Sequence, residues 1–158
     1  MFDIEGTDSE ERGEDRMTFE QTTSLLALAL ADVLIINLWA HDIGRYHGSN
    51  YDLLERVLKV NLKLFGQQGS HKRLCLVIRD FSSKSDKEIY RKKMFDFLEG
   101  IWRNVYKDEQ HKNAVLSDFF EIETNFLYHK EFEEPLFDQS CKDLAVRFDV
   151  GHEDSLFP

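Results

Sequence analysis

Basic charge is in short supply in this chain. Twenty Lys and Arg stand against thirty Asp and Glu, a formal net charge of −10 over 158 residues. A protein that binds nucleic acid needs a basic face to offset phosphates, so this balance argues against nucleic acid as a partner. It argues equally against docking of this segment on an anionic membrane surface. Cysteine is almost absent. Cys75 and Cys141 both lie in apolar patterns, which excludes a disulfide-stapled scaffold and suits buried free thiols of a reducing compartment. No apolar run reaches the roughly 20 residues of a membrane span; Leu25 to Leu38 is interrupted by Asp32. The start does not read as a secretory leader. No H-x-x-x-H string or Cys/His cluster supports a zinc site. Repeats and low-complexity linkers are also missing.

What is present is a core-forming alternation. Hydrophobic residues make up 42% and include 13 Phe, enough to build one domain. Val33 to Leu38 and Leu74 to Ile78 are short, almost wholly apolar runs, as expected of strands covered on both faces. Phe119 to Leu127 alternates Phe120, Ile122, Thr124 and Phe126 with Glu121, Glu123 and Asn125, which predicts a third strand nearer a sheet edge. Helices are predicted over about Thr18 to Ala31, Asn50 to Phe65 and Asp86 to Tyr106. A last helix has Pro135 in its first turn and a stripe of Phe137, Cys141, Leu144, Ala145 and Phe148. With a strand stub at the start, the order is strict β-α alternation. That order predicts an α/β fold, a doubly wound, mostly parallel sheet with helices on both faces. The expected domain covers residues 1–150, and residues 151–158 read as a fraying tail.

In such sheets ligands sit beyond the carboxyl ends of the strands. Four places qualify: Asp3 to Gly6, Trp39 to Gly44, Arg79-Asp80 and Tyr128 to Lys130. Asp3-Ile4-Glu5-Gly6 is a D-x-x-G, the string in which a GTPase holds Mg²⁺ through a water with the Asp and senses the γ-phosphate with the Gly amide. Rival chemistries share these residues. Phe2-Asp3-Ile4-Glu5 resembles the D-x-E opening of two-metal exonucleases. Asp3 to Thr7 resembles the aspartyl-phosphate opening of haloacid-dehalogenase-type phosphatases, with Glu5 in place of the second Asp. A strongly acidic chain without a basic groove makes a poor nuclease. An Asp at position 80 could accept hydrogen bonds from guanine N1–H and its exocyclic amino group, which adenine cannot supply. Arg79 could stack its flat guanidinium on the base. Against this, Asp80 could simply cap the next loop and Arg79 be a solvated surface residue. Trp39, His41 and Asp42 read as packing or structural residues. Lys84, Lys87, Arg91, Lys92 and Lys93 read as the outer face of a helix.

The ordered strings together resemble the root hair defective 3 family of atlastin-like GTPases, in the dynamin superfamily. They are Asp3-Ile4-Glu5-Gly6-Thr7-Asp8 with Glu11-Arg12-Gly13-Glu14-Asp15, then Leu26-Ala27-Leu28-Ala29 running to Asp32 through Trp39. His41-Asp42-Ile43-Gly44-Arg45, Asn50 with Leu53-Leu54, Val77-Ile78-Arg79-Asp80 and Leu116-Ser117-Asp118-Phe119-Phe120 follow. The resemblance implies GTP hydrolysis coupled to fusion of endoplasmic reticulum membranes, driven by self-association of GTPase domains. It implies GTP or GDP and Mg²⁺ as cofactors. Asp3 would be the Mg²⁺-linked Asp, Gly6 the γ-phosphate-sensing Gly, and Arg79-Asp80 the guanine-reading pair. The loop around Tyr128-His129 would cover the base.

The family's phosphate loop, G-x-x-x-x-G-K-[ST], its catalytic Arg and its Mg²⁺-ligating Thr precede the D-x-x-G, and no such loop string occurs in these residues. The expectation is therefore a truncated P-loop GTPase domain lacking its first strands, unable by itself to hydrolyse GTP. The competing expectation is a non-enzymatic interaction or dimerisation module with the same fold.

Overall fold

Three parallel strands form the centre of the molecule in the computed structural model. It describes residues 31–43, 49–65, 71–153 and 155–156, together with the helical positions Thr22, Leu26 and Leu30. Most of the helix expected over Thr18 to Ala31, the strand stub, and the stretches Gly44 to Gly48 and Gly66 to Ser70 lie outside the described residues. The elements are β1 (Val33–Trp39), α1 (Ser49–Phe65), β2 (Lys72–Phe81), α2 (Lys87–Asn104), β3 (Phe120–Tyr128) and α3 (Glu134–Val146). Short 3-10 turns follow β1 at Ala40–Asp42 and precede β3 at Leu116–Asp118.

The sheet order is β1-β2-β3, with both pairings parallel. Parallel neighbours need a crossover, and α1 and α2 supply the two crossovers. The central strand is the most apolar because both of its faces are covered. Alternation along β2 divides the core. Leu74 and Leu76 join Ile36 and Leu38 of β1 against Leu54 and Leu58 of α1 and Met94 and Leu98 of α2. Cys75 and Val77 face the other way, toward Leu144 and Phe148 at and beyond the end of α3. Helices therefore cover both faces, as the alternation predicted. Each fully buried Leu of this kind stabilises by roughly 1.5–3 kcal/mol relative to exposure.

Local signals explain the boundaries. Asp86 caps α2, its carboxylate accepting from the Glu88 amide at 2.8 Å. Pro135 sits in the first turn of α3, where its missing N–H is no loss. Of the inward stripe expected for α2, Tyr90, Met94, Phe97, Leu98, Ile101 and Val105, four are buried, and Tyr90 and Phe97 are half-buried. Trp102, absent from the expected stripe, is buried beside it; its Nε1–H donates to the Ala114 carbonyl at 2.9 Å. On α1, Asn61 is fully buried with Leu54, Val57 and Leu58, and its amide nitrogen and oxygen have no hydrogen-bond partner among the described residues.

Two expectations are corrected. The end of the chain does not fray at Leu156: that side chain is only 1% exposed and packs with Cys75 and Val77. The Arg73 guanidinium donates to the Ser155 and Leu156 carbonyls, and the Leu156 amide donates to the Arg147 carbonyl at 2.7 Å. Burial of this apolar side chain against the sheet's second face outweighs the usual mobility of a terminus. Cys75 and Cys141 are both free thiols, but only Cys75 is fully buried and Cys141 is half-buried. Burial pushes the Cys75 thiol above its ordinary range, with Glu123 adding to the effect. Among the described residues no helix is long and apolar enough to cross a membrane.

Candidate functional site

Parallel strands bring their carboxyl ends to one edge of the sheet, so the loops after β1, β2 and β3 are neighbours. At that edge β2 loses its regular register. Ile78 pairs with Phe126, but the next pair is Phe81 with Tyr128, so β2 carries one residue more than β3. The extra residue is accommodated at Arg79-Asp80. Asp80 has φ 53°, and it is the one non-glycine residue with positive φ among the described residues. Asp tolerates this left-handed region better than most side chains, at a small cost. Bulges of this kind re-aim a side chain out of the sheet's alternation. The Asp80 carboxylate is half-buried and has no hydrogen-bond or ion-pair partner among the described residues.

Arg79 is exposed, and Trp39 lies directly opposite it in the β1–β2 register. The guanidinium carbon sits 4.6 Å from the centre of the Trp39 ring, a cation–π contact. Trp39, read from sequence as a packing residue, is instead 39% exposed and serves as a platform for Arg79. Only the register of two strands forty residues apart reveals that pairing. His41 is exposed, with its ring 3.5 Å from Asp42.

Below the bulge an aromatic cluster holds the strand ends together. Phe81 is buried against Phe126 at 4.6 Å, Tyr90 at 5.2 Å and Tyr128 at 5.8 Å between ring centres. Lys87 lies over the Tyr128 ring, and Arg91 over Phe126, where its Nε also donates to Thr124. Lys84, Lys92 and Lys93 are exposed, as expected of an outer helix face and its leading loop. The loop after β3 is tied to the loop after β2. The His129 amide donates to the Phe81 carbonyl at 3.2 Å. The Glu133 carboxylate accepts from the Ser83 amide, at 3.1 Å from each oxygen, and from the Ser83 hydroxyl. Those hydrogen bonds, chiefly the hydroxyl's, hold the Glu133 carboxyl below its usual range. His129 stacks on Phe132 at 4.3 Å, and Phe132 is 79% exposed.

The family string Leu116 to Phe120 falls at the opposite, amino end of β3, where Leu116, Phe119 and Phe120 are buried. It serves packing and not the site. Asp3 and Gly6 lie outside the described residues. Arg79 and Asp80 are thus the two expected site residues that the structure places, side by side on one bulge.

A parallel three-stranded sheet covered by helices is consistent with part of an α/β GTPase domain. The chain matches, over residues 1–157, the family described as the root hair defective 3 GTP-binding protein GTPase domain. It is 40% identical over 159 residues to a SEY1 homolog of Dictyostelium discoideum, covering 100% of this chain and 18% of that protein. It is 40% identical over 157 residues to SEY1 of Arthroderma otae, covering 98% and 18%. It is 41% identical over 148 residues to ROOT HAIR DEFECTIVE 3 homolog 2 of Oryza sativa subsp. japonica, covering 94% and 17%. The chain belongs to the root hair defective 3 GTPase-domain family. It spans less than a fifth of the length of these relatives.

Proposed function

We propose that these residues form the guanine-reading part of a GTP-binding and GTP-hydrolysing domain. The observation that carries this is Asp80 itself, set at the register break of β2 with φ 53° and with no hydrogen-bond or ion-pair partner for its carboxylate among the described residues. A carboxylate offers two acceptors in one plane, and guanine offers two donors, N1–H and the exocyclic amino group, at matching spacing. Adenine presents an acceptor at N1 and would leave the carboxylate unpaired and repelled. Arg79 complements this: Trp39 takes one face of its guanidinium and the other remains for a flat base. The residues present therefore fit a guanine nucleotide.

In this reading Asp3 holds Mg²⁺ through a water and Gly6 senses the γ-phosphate. When bound, GTP with Mg²⁺ supplies the phosphoanhydride that is cleaved. The polypeptide 1–158 contains no phosphate-loop string and by itself does not hydrolyse GTP. The loop that is missing from it supplies most of the phosphate affinity and transition-state stabilisation in such enzymes. The full-length protein acts, on the family resemblance, at the cytosolic face of the endoplasmic reticulum, where paired GTPase domains bring membranes together and fuse them.

The decisive substitution is Asp80→Asn in the full-length protein. An amide presents a donor to guanine N1–H, so GTP affinity falls by about 100-fold, the loss of roughly 3 kcal/mol of charged hydrogen bonding. Xanthosine triphosphate, with a carbonyl in place of the amino group, gains affinity in the same variant. Unchanged GTP affinity in a competition titration would show that Asp80 does not read the base. Fluorescent GTP titrated into polypeptide 1–158 is expected to show no micromolar binding, and such binding would overturn the assignment of inactivity.

A further inference from the structure

We infer that Glu133 is a positioning residue for base recognition: by clamping Ser83 it holds the Asp80 bulge in the geometry that distinguishes guanine. The inference rests on the guanine-reading role proposed for Asp80. Glu133 is the residue that precedes α3, yet its side chain makes no capping hydrogen bond to its own helix. Both carboxylate oxygens reach across to the loop after β2 instead, accepting from the Ser83 amide and hydroxyl. The acceptor that a helix would ordinarily keep for its first turn is spent on a residue fifty positions earlier. Glu133 is itself anchored, its amide donating to the His129 carbonyl at 2.8 Å.

The clamp stands three residues beyond Asp80. On the other side of the bulge, Ile78 is fixed by its pairing with Phe126. A left-handed Asp between two regular segments persists only when both ends are held. The Phe81–His129 hydrogen bond holds the near end, and Ser83–Glu133 keeps the following loop from relaxing. Ser83 is exposed, so burial does not hold it in place. Charge-assisted hydrogen bonds of this type are stronger than neutral ones, so a single carboxylate suffices.

The test is nucleotide competition in the full-length protein, comparing GTP with inosine triphosphate, which lacks only the exocyclic amino group. That ratio reports where the Asp80 carboxylate sits and is insensitive to a general loss of affinity. Glu133→Ala is expected to shrink the GTP preference about tenfold and to speed GDP release by a similar factor, about 1.4 kcal/mol on either scale. Glu133→Gln, which keeps an acceptor for the Ser83 amide, restores part of the preference. Ser83→Ala, which keeps the amide and cannot perturb the core, reduces it by about two- to threefold. Equal weakening of both nucleotides by Glu133→Ala, or an unchanged ratio in Ser83→Ala and Glu133→Gln together, would overturn the inference. If Asp80→Asn shifts the ratio while the Glu133 variants do not, the base-reading role stands and the clamp falls. If Asp80→Asn leaves the ratio unchanged, the base-reading role falls and the clamp with it.

Discussion

The two ends of the central sheet are built on opposite rules. At the amino end, polar groups are satisfied and side chains are buried. Lys72 is nearly inaccessible, yet its ammonium donates to the Ala31 carbonyl at 2.8 Å. Trp102 donates to Ala114 and packs on Phe119, 5.5 Å away, and the Asp118 carboxylate accepts from the Val115 amide at 2.9 Å. At the carboxyl end, the register breaks, Asp80 takes a left-handed conformation, and its carboxylate has no partner among the described residues. Both ends carry strings that resemble the family, but they do different things: one fills volume in the core, the other leaves hydrogen-bonding capacity open among the described residues. Strain and unsatisfied polarity gather where a ligand can relieve them.

That contrast can be broken most forcefully through the core. Leu76→Ala, at a fully buried position of β2, is expected to destabilise the protein by about 3 kcal/mol, transfer and cavity costs together. Asp80→Asn, a few residues along the same strand, is expected to leave stability within about 0.5 kcal/mol while shifting base choice. Urea denaturation of both variants decides the matter, and comparable losses would erase the distinction between the two ends.

Asn61 is an exception to the rule, a fully buried amide on α1 without partners among the described residues. Asn61→Leu should therefore stabilise by about 1–2 kcal/mol, since a group of similar size replaces an unpaired amide. A loss of stability would mean that the amide has a partner in the full-length protein. The smallest expected effect belongs to Asp80→Gly. It removes the carboxylate but relieves the left-handed backbone, so it should be neutral or stabilise by roughly 0.5 kcal/mol, even as guanine preference disappears. Destabilisation above about 1 kcal/mol would show that the Asp80 side chain holds the bulge instead of being held by it.

Much of the fold was legible in the residues. Leu74 to Ile78 read as a doubly covered strand because it lacks the polar alternation of a solvated face, and all five residues are buried; Val33 to Leu38 read the same way, but there only Ile36 and Leu38 are buried and Asn37 is exposed. The Glu121-Glu123-Asn125 alternation placed β3 toward an edge, and β3 is the outer strand beside β2. Trp102 was missed because it lies one step off the strict helical stripe, and the 3-10 turn below it fills the remaining space. Leu156 was missed because a lone apolar residue in a polar tail has no period to betray it; its burial depends on Cys75 and Val77 of β2, which only the folded chain brings to it.

The site divides in the same way. Composition, alternation and the ordered strings determined the class of fold and the family, and singled out Arg79 and Asp80 as candidates, because those depend on residue type and order along the chain. Tertiary structure alone decided that Asp80 stands on a bulge with positive φ, that Trp39 carries Arg79, and that Glu133 grips Ser83. Each of these joins residues about forty to fifty positions apart, or turns on a register shift of one residue. Parallel strands bring such partners together at a shared end, and that closeness is a property of the sheet, not of any stretch of sequence.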